Sequence, residues 1–250
     1  MEVHAHTHSD RKKWTHYFWE FFMLFIAVTL GFFVENQREH IIEHKREIEY
    51  VRSMVEDLKE DTASFNRLIK INSGANERID TLIGLLKGNE INIPAKRIYH
   101  LARTIPLSDV DLVIQNKTFE QLKGSGGLRL IRNPLTQNKI GAYYQNNKFI
   151  ETGFIPMQFQ NRRDVFIAFE DLFDATLMQE IMKSPGLLPP ETPDNRYKLL
   201  SNDPKLINRF CTRYHIMYST KRVTMYQAKY LFNEAALLIK YLQNEYHFKT

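Results

Sequence analysis

The chain carries one run of residues whose types and spacing could hold a catalytic metal, His40-Ile41-Ile42-Glu43-His44. It has the H-x-x-E-H pattern that some zinc hydrolases use. On a helix, His40 and His44 lie four positions apart and share a face, so both imidazoles could bind Zn²⁺. Glu43 could then act as the general base. The run therefore makes a zinc metallohydrolase one candidate function.

Two features of the surrounding sequence oppose a zinc site. A catalytic zinc usually has three protein ligands, and no acid-rich helix downstream offers an obvious third. The neighbouring side chains instead mix both charges, with Glu39, Glu43 and Glu47 against Lys45 and Arg46, which is typical of an exposed helical face. We therefore assign no catalytic, cofactor-binding or metal-ligating residue, and we do not expect an enzyme.

Two other segments could bind ions. His4, His6 and His8 alternate along the first residues and could form a weak metal-binding tail, but a solvated polar tail is the simpler interpretation. The segment 124–130, GSGGLRL, is glycine-rich, as phosphate-binding loops are. It lacks the Lys followed by Ser or Thr that such loops need. A tight structural turn is the simpler interpretation there.

The helix that would position His40 and His44 follows a membrane-like segment, 17–34, YFWEFFMLFIAVTLGFFV. A helix of these 18 residues reaches about 27 Å, near the roughly 30 Å hydrocarbon core of a bilayer. Its one charge, Glu20, lies a turn from the start, where its cost is small. Trp14, Tyr17 and Trp19 form an interfacial aromatic cluster. We expect one membrane-spanning helix here, in contact with the lipid bilayer.

A signal peptide and a buried core helix are the alternatives to this anchor. A signal peptide needs small residues at a cleavage site after the apolar run, and the run ends in Val34-Glu35-Asn36-Gln37. A core helix fits the shorter uncharged part, 21–33. It does not account for the flanking aromatic residues or for the adjacent Arg11-Lys12-Lys13.

The basic residues beside the anchor indicate its orientation. Arg11-Lys12-Lys13 lies directly before the segment, on the shorter flank. Basic residues after it are further away and mixed with Glu, at Arg38, Lys45, Arg46 and Arg52. The tight cluster favours a cytoplasmic N-terminus. We expect a single-pass protein of a bacterial inner membrane with a periplasmic C-terminal domain.

Composition narrows the class of partner. The 250 residues carry a formal net charge of +5, which nucleic acid or anionic lipid could attract. The basic residues are spread along the chain among acids rather than gathered in one block. We therefore expect no nucleic-acid binding. Cys211 is the single cysteine, so no intramolecular disulfide can form.

A heptad pattern follows the anchor and predicts a bundle helix that continues from it and ends at Gly88. The polar stretch Asn72-Ser73-Gly74, with Asn76, predicts a kink or a break near its middle. Met54 and Leu68 at g widen the apolar stripe, which favours a bundle helix over an isolated two-stranded coil. The predicted core positions are Ile41, Ile48, Val55, Thr62, Ile69, Asn76 and Ile83 at a, and His44, Val51, Leu58, Phe65, Asn72, Ile79 and Leu86 at d.

Turn and cap residues divide the rest of the chain into further helices. Gly153 and Pro156 should split one long helical stretch, and 184–195 reads as a proline-rich surface loop. Helix starts are predicted at Pro94, at Asn116 or Thr118, at Asn133-Pro134 and at Asp203-Pro204, the last helix running to about Tyr246. The expected domains are a polar tail 1–16, a transmembrane helix 17–34 and a helical bundle 35–250.

Two stretches carry a resemblance to a known family. They are 12–62, KKWTHYFWEFFMLFIAVTLGFFVENQREHIIEHKREIEYVRSMVEDLKEDT, and 118–133, TFEQLKGSGGLRLIRN, followed by a helix with Tyr143-Tyr144. The chain resembles a family of single-pass helical membrane proteins of Gram-negative bacteria with no known activity. The resemblance implies an anchored helical domain and transfers no functional residue.

The expected fold is all-α, with the transmembrane helix continuing into a long helix of an antiparallel bundle. The expected function is a membrane-anchored interaction or structural module, with a protein partner or a second copy bound through the helix 41–86. The alternatives are an exported domain that senses a ligand or metal through a partner, and the zinc metallohydrolase at residues 40–44.

Overall fold

A computed structural model describes residues 14–88, 95–108, 112–183 and 194–248, and these residues form no strand. The all-α prediction is confirmed. Three predicted features lie wholly or mostly outside these residues: the metal-binding tail with His4, His6 and His8, the helix start at Pro94, and the loop 184–195. The helices are α1 (Trp14–Lys87), α2 (Ala95–Thr104), α3 (Lys117–Gly124), α4 (Pro134–Phe149), α5 (Ile155–Ile167), α6 (Ala175–Lys183) and α7 (Pro204–Glu245).

The chain divides into two compact units, Met1–Tyr50 and Val51–Thr250. In the first, α1 contains an 18-residue window of mean hydropathy 1.9, none of it buried. By length and composition, α1 is therefore the one described helix that could cross a membrane. A lipid environment would account for its exposed apolar side chains, such as Phe21, Leu24 and Phe32.

The helix α1 is continuous through Asn72-Ser73-Gly74, so the predicted break does not occur there. Asn72 is buried and its Oδ1 accepts a hydrogen bond from Lys221 Nζ at 3.2 Å. An asparagine in the middle of a helix usually weakens it because its side chain competes for backbone hydrogen bonds. Here the Asn72 side chain instead binds Lys221 of α7.

The second unit contains three long helical segments: α1 from Val51 on, α4 followed by α5, and α7. Side-chain pairs show that α7 runs antiparallel to α1, because Lys87 contacts Asn208 and Asn72 contacts Lys221. It also runs antiparallel to α4 and α5, because three side-chain pairs rise in number along α4 and α5 while they fall along α7: Thr136 with Tyr241, Gln158 with Thr224, and Asp164 with Arg213. The predicted antiparallel bundle is confirmed.

The buried face of α1 from Val51 on includes the predicted d positions and the predicted widening at Met54 and Leu68, but it differs at position a. From Val51 on, the most buried positions are d and g of the heptad rather than a and d. Thr62, Ile69 and Ile83, all at a, are only half-buried. The buried line is Val51, Met54, Leu58, Asp61, Phe65, Leu68, Asn72, Ala75, Ile79, Leu82 and Leu86. Since α1 packs against both α7 and the α4–α5 pair, its buried face is wider than a two-helix seam. This face extends from position d to position g rather than to position a.

Most predicted helix boundaries are confirmed. Asn133 and Asp203 cap α4 and α7, each side chain accepting a hydrogen bond from a backbone N–H two residues on, at 2.9 Å. A π-helical turn, Ile150–Phe154, separates α4 from α5 where Gly153 and Pro156 predicted a split. Asn116 precedes α3, but its side chain makes no capping hydrogen bond.

Candidate functional site

The H-x-x-E-H residues lie on the exposed surface of α1. His44 Nδ1 lies 3.1 Å from Glu47 Oε2, and His40 Nδ1 lies 3.9 Å from Glu43 Oε2. Each imidazole thus has its own carboxylate within the same turn of helix. No group of three His, Cys, Asp or Glu side chains suited to a metal ion occurs in the part of the chain that is described. The zinc hypothesis keeps only the sequence motif as support.

The glycine-rich segment forms a turn whose backbone N–H groups are already used. Ser125 N donates to Gln121 O at 3.1 Å and Gly126 N to Lys123 O at 3.3 Å. Gly126 has φ of +67°, a left-handed conformation that favours glycine. Gly127 then begins a turn of 3₁₀ helix, Gly127–Leu130. This geometry is that of a helix-ending turn rather than of a phosphate cradle.

A buried carboxylate lies where α1, α4 and the segment before α3 meet. Asp61 is fully buried, and its Oδ1 accepts a hydrogen bond from the backbone N–H of Gln115 at 2.7 Å. Its Oδ2 accepts one from the Tyr143 hydroxyl at 2.7 Å. One turn earlier, Asp57 accepts the backbone N–H of Thr118 at 3.3 Å. Two acids of α1 thus hold the start of α3.

Burial decides the protonation of this group. Loss of solvation raises the pKa of Asp61 to about 6, although the hydrogen bonds from Gln115 and Tyr143 act in the opposite direction. The nearby carboxyls of Asp57 and Glu60 raise it further. Burial and the Asp61 charge also raise the pKa of Tyr143 far above its ordinary value, so Tyr143 stays a hydrogen-bond donor.

A cleft of about 360 Å³ opens beside this network, between α3 and α4. The rings of Phe119 and Tyr144 stack at 4.2 Å and form one wall. Tyr143 packs edge-on against Tyr144, so the cleft wall and the Asp61 network are in direct contact. The volume is at the small end of the range for ligand pockets, roughly 300–1,000 Å³.

Two side chains in the cleft wall, Asn147 and Tyr144, carry deeply buried polar atoms. Asn147 is 2% exposed, and its amide lies against the Tyr143 hydroxyl, where it opposes part of the rise in the Tyr143 pKa. The hydroxyl of Tyr144 lacks a partner among the described residues. Buried polar groups are rarely left so.

The outward face of α7 is a second candidate surface. Ile216, Val223, Tyr230 and Leu237 follow one another at intervals of seven residues, and all are exposed. Tyr226, 72% exposed, lies on the same face. We call these five residues the α7 stripe. Single exposed apolar residues are ordinary on protein surfaces, but a heptad-spaced line is the pattern of helix pairing.

Neither the buried Asp61 nor the α7 stripe was predicted from the sequence, although the sequence carries a pattern that indicates each of them. Asp61 occupies heptad position g, between the apolar g residues Met54 and Leu68, and was therefore a candidate for burial. The α7 stripe has a plain seven-residue period. Asn147 has no comparable signal, because its burial depends on tertiary packing against α4. No protein-family model, no curated protein and no solved structure matches this chain.

Proposed function

We propose that the protein is a membrane-anchored helical interaction module, in which two copies associate through the α7 stripe. The observation that carries the proposal is the heptad spacing of exposed Ile216, Val223, Tyr230 and Leu237. A repeat of seven keeps apolar residues on one line of a helix facing another helix. The two copies would form a coiled-coil pair with these residues in successive layers.

Charges beside the stripe fit a parallel pair. With Val223 at a, Lys229 occupies g and Glu234 the following e position. In a parallel coiled coil these positions lie opposite each other across the interface. Neither side chain forms an ion pair with a described residue, so both are free to pair with the other copy. Asn233 at d would help to fix the register, as polar core residues do.

The helix first expected to mediate association is less suited to it. From Val51 on, the apolar line of α1 is buried by helices of the same chain. Association through residues 41–86 stays a prediction, but it would have to use polar outer positions or Ile41, which is exposed. The α7 stripe needs no rearrangement of the bundle.

The anchor segment 17–34 supports a membrane location for this module. Its apolar side chains are exposed along α1, and Arg11-Lys12-Lys13 precedes it. Together with the resemblance to single-pass proteins of Gram-negative bacteria, these features support an inner-membrane location with an exported helical domain. Confinement to a membrane raises the effective concentration of the copies, so a short interface can suffice.

Cysteine cross-linking in membranes tests the association. Cys211 is buried and is replaced first, giving a Cys211→Ala background. We expect Val223→Cys and Tyr230→Cys to form disulfide-linked dimers on mild oxidation, since residues at a approach their counterparts in a parallel pair. Asn138→Cys, exposed on α4 away from the stripe, is the matched control.

Equal, low cross-linking at Val223, Tyr230 and Asn138 would overturn the proposal. A second variant checks the interface without cysteine chemistry. Val223→Lys places like charges opposite each other and should reduce the dimer fraction of detergent-purified protein about tenfold, by analytical ultracentrifugation. An unchanged dimer fraction in this variant would also contradict the assignment of the interface to the α7 stripe.

A further inference from the structure

We infer that α4, α5 and α7 together form one apolar docking face, and that the same face of a second copy covers it. Each copy then contributes two helical segments to the interface, and α4 of one copy packs beside α7 of the other. This inference rests on the proposed association through the α7 stripe and deepens it, because it adds a second set of contact residues and states which helices meet.

A second line of exposed apolar residues runs along α4 and α5. We call it the α4–α5 line, and its members are Leu135, Ala142, Phe149 and Met157. The first three steps of the line begin at intervals of seven residues, and the last interval is eight. The π-helical turn Ile150–Phe154 lies inside that last interval. Because a π-helical turn holds more residues than an α-helical one, the extra residue leaves Met157 on the same line.

One end of the α4–α5 line is fixed beside α7 by Lys139. Its Nζ lies 5.1 Å from the centre of the Tyr241 ring. Lys139 follows Leu135 by four residues, and Tyr241 follows Leu237 of the α7 stripe by four residues. Residues four apart share a helix face. Leu135 and Leu237 therefore lie on the two sides of the same seam between α4 and α7.

The other end is fixed by an ion pair. Arg213 Nη1 of α7 donates to Asp164 Oδ2 of α5 at 3.4 Å. Asp164 follows Met157 by seven residues, and Arg213 precedes Ile216 of the α7 stripe by three. Residues three or seven apart also share a helix face. The α4–α5 line and the α7 stripe thus run side by side along one face of the bundle.

The size of this face suits a stable dimer better than the α7 stripe alone. From Leu135 to Met157 the line reaches roughly 33 Å at the rise of an α-helix. Two neighbouring helices, each about 10 Å across, make such a face on the order of 700 Å². Stable protein interfaces bury about 800 Å² per partner. One helix alone would supply about half of the two-helix area.

The composition of the face favours a second copy as the partner. No residue of the α4–α5 line or of the α7 stripe is charged, so two identical faces can meet without burying like charges. Both lines keep the same repeat, so the ridges of one copy match the grooves of the other. Because α7 runs antiparallel to α4 within a chain, a parallel pair of α7 helices sets each α4 antiparallel to the partner's α7, as in a four-helix bundle.

The pairs Thr136 with Tyr241 and Gln158 with Thr224 set Phe149 level with Tyr230. A two-fold axis parallel to the helices keeps that level between copies, so the test uses these two positions. Two differently tagged full-length copies are produced together in membranes, both in the Cys211→Ala background, one with Phe149→Cys and one with Tyr230→Cys. We expect mild oxidation to give a disulfide-linked dimer that carries both tags.

The matched control replaces Phe149→Cys by Lys148→Cys. Lys148 is exposed at the same level but lines the α3–α4 cleft. It should give at most a tenth of the doubly tagged dimer. If Phe149→Cys gives no more than this control while Tyr230→Cys still links to itself, the inference fails and the association through α7 stands. If neither link forms, both fail.

A second variant tests the face without cysteine chemistry. Phe149→Lys should weaken dimerisation of detergent-purified protein about tenfold in analytical ultracentrifugation, because it places a charge in an apolar interface. Phe149 is 61% exposed, so the helix content by circular dichroism should not change. Lys148→Gln should leave dimerisation as it is. A dimer fraction that falls in Val223→Lys and is unchanged in Phe149→Lys would confine the interface to α7 and overturn the inference.

Discussion

Asp61 shows how one residue links a helix to its neighbours. It lies within the apolar face of α1, and it accepts hydrogen bonds from the backbone N–H of Gln115 and from the Tyr143 hydroxyl. Those two bonds satisfy the carboxylate and fix the segment before α3 and the register of α4 at once. The cost is a buried charge, which is why its pKa rises.

The raised pKa predicts a specific pH dependence of stability. The pKa of Asp61 is about 6 in the folded state and 3.8 in the unfolded state. The contribution of Asp61 to the free energy of unfolding is therefore greatest below pH 3.8 and is lost as the pH rises through 6. Relative to Asp61→Asn, the wild-type chain should gain about 2 kcal/mol of unfolding free energy on acidification from about pH 7.5 to pH 4.

Urea unfolding followed by circular dichroism, on detergent-purified full chains, measures this difference. Asp80→Asn is the matched control, because Asp80 lies exposed on the same helix. Subtracting the variant from the wild type removes the titration of all other carboxyls. A wild-type minus Asp61→Asn difference that is flat with pH would show that Asp61 does not retain its proton in the folded protein.

Single residues were predictable only where the cause is local. Asn133 and Asp203 act on backbone groups two positions away, so the residue types and a following proline were sufficient to place them. Asn72 was misjudged, because its partner Lys221 is 149 positions away. Asn147 is buried although it is a polar residue of α4, because other helices pack against α4. Such contacts depend on how helices pair, which a pattern of residue types does not specify.

At the scale of helices, a polar layer crosses the middle of the bundle. Asn161 of α5 donates to Thr220 of α7 at 2.6 Å, and Gln158 donates to Thr224 at 3.0 Å. Asn72 and Lys221 lie at the same level. A polar pair in a core constrains register, because a shift of either helix would leave its members unpaired. The layer thus selects one alignment of α1, α5 and α7.

The pair Asn161 and Thr220 allows this to be tested by a double-mutant cycle. Thr220→Val leaves the Asn161 amide buried without its acceptor and should lower the unfolding free energy by about 1–3 kcal/mol. Asn161→Leu should have a similar effect. The double variant should lose less than the sum, because replacing both partners by apolar groups leaves no buried polar group unsatisfied.

Chemical denaturation of the four proteins gives the coupling free energy directly. Asn138→Leu combined with Thr220→Val serves as the comparison cycle, because Asn138 is exposed and has no contact with Thr220. Strict additivity in the Asn161–Thr220 cycle would mean that the hydrogen bond contributes nothing beyond the separate side chains. The layer would then have no role in setting the register.

For the whole molecule, the sequence predicts the long helix α1 and the bundle, but it does not specify which helix faces are buried and which stay exposed. The long helix, the bundle and the split between α4 and α5 follow from periodicity, glycine and proline. The sequence indicated the widening of the buried face of α1 only at Met54 and Leu68, whereas position g is buried throughout because α1 packs against both α7 and the α4–α5 pair. The α7 stripe follows from the same cause: enclosing α1 uses one face of α7 and leaves the other outside.

Topology is the remaining whole-molecule prediction, and the basic residues near the anchor decide it. Arg11-Lys12-Lys13 ends four positions before the apolar segment, whereas Arg38 is the one Lys or Arg among the ten residues that follow it. Positive residues near a span are retained in the cytoplasm. We therefore expect the N-terminus in the cytoplasm and the C-terminal domain outside it.

A reporter that functions only outside the cytoplasm, fused after Thr250, should therefore show activity. Replacing Arg11, Lys12 and Lys13 by Gln should lower that activity, whereas Lys45→Gln with Arg46→Gln should leave it unchanged or higher. Activity only from a cytoplasmic reporter would reverse the orientation and would place the α7 stripe in the cytoplasm, where the same cross-linking experiments would still apply.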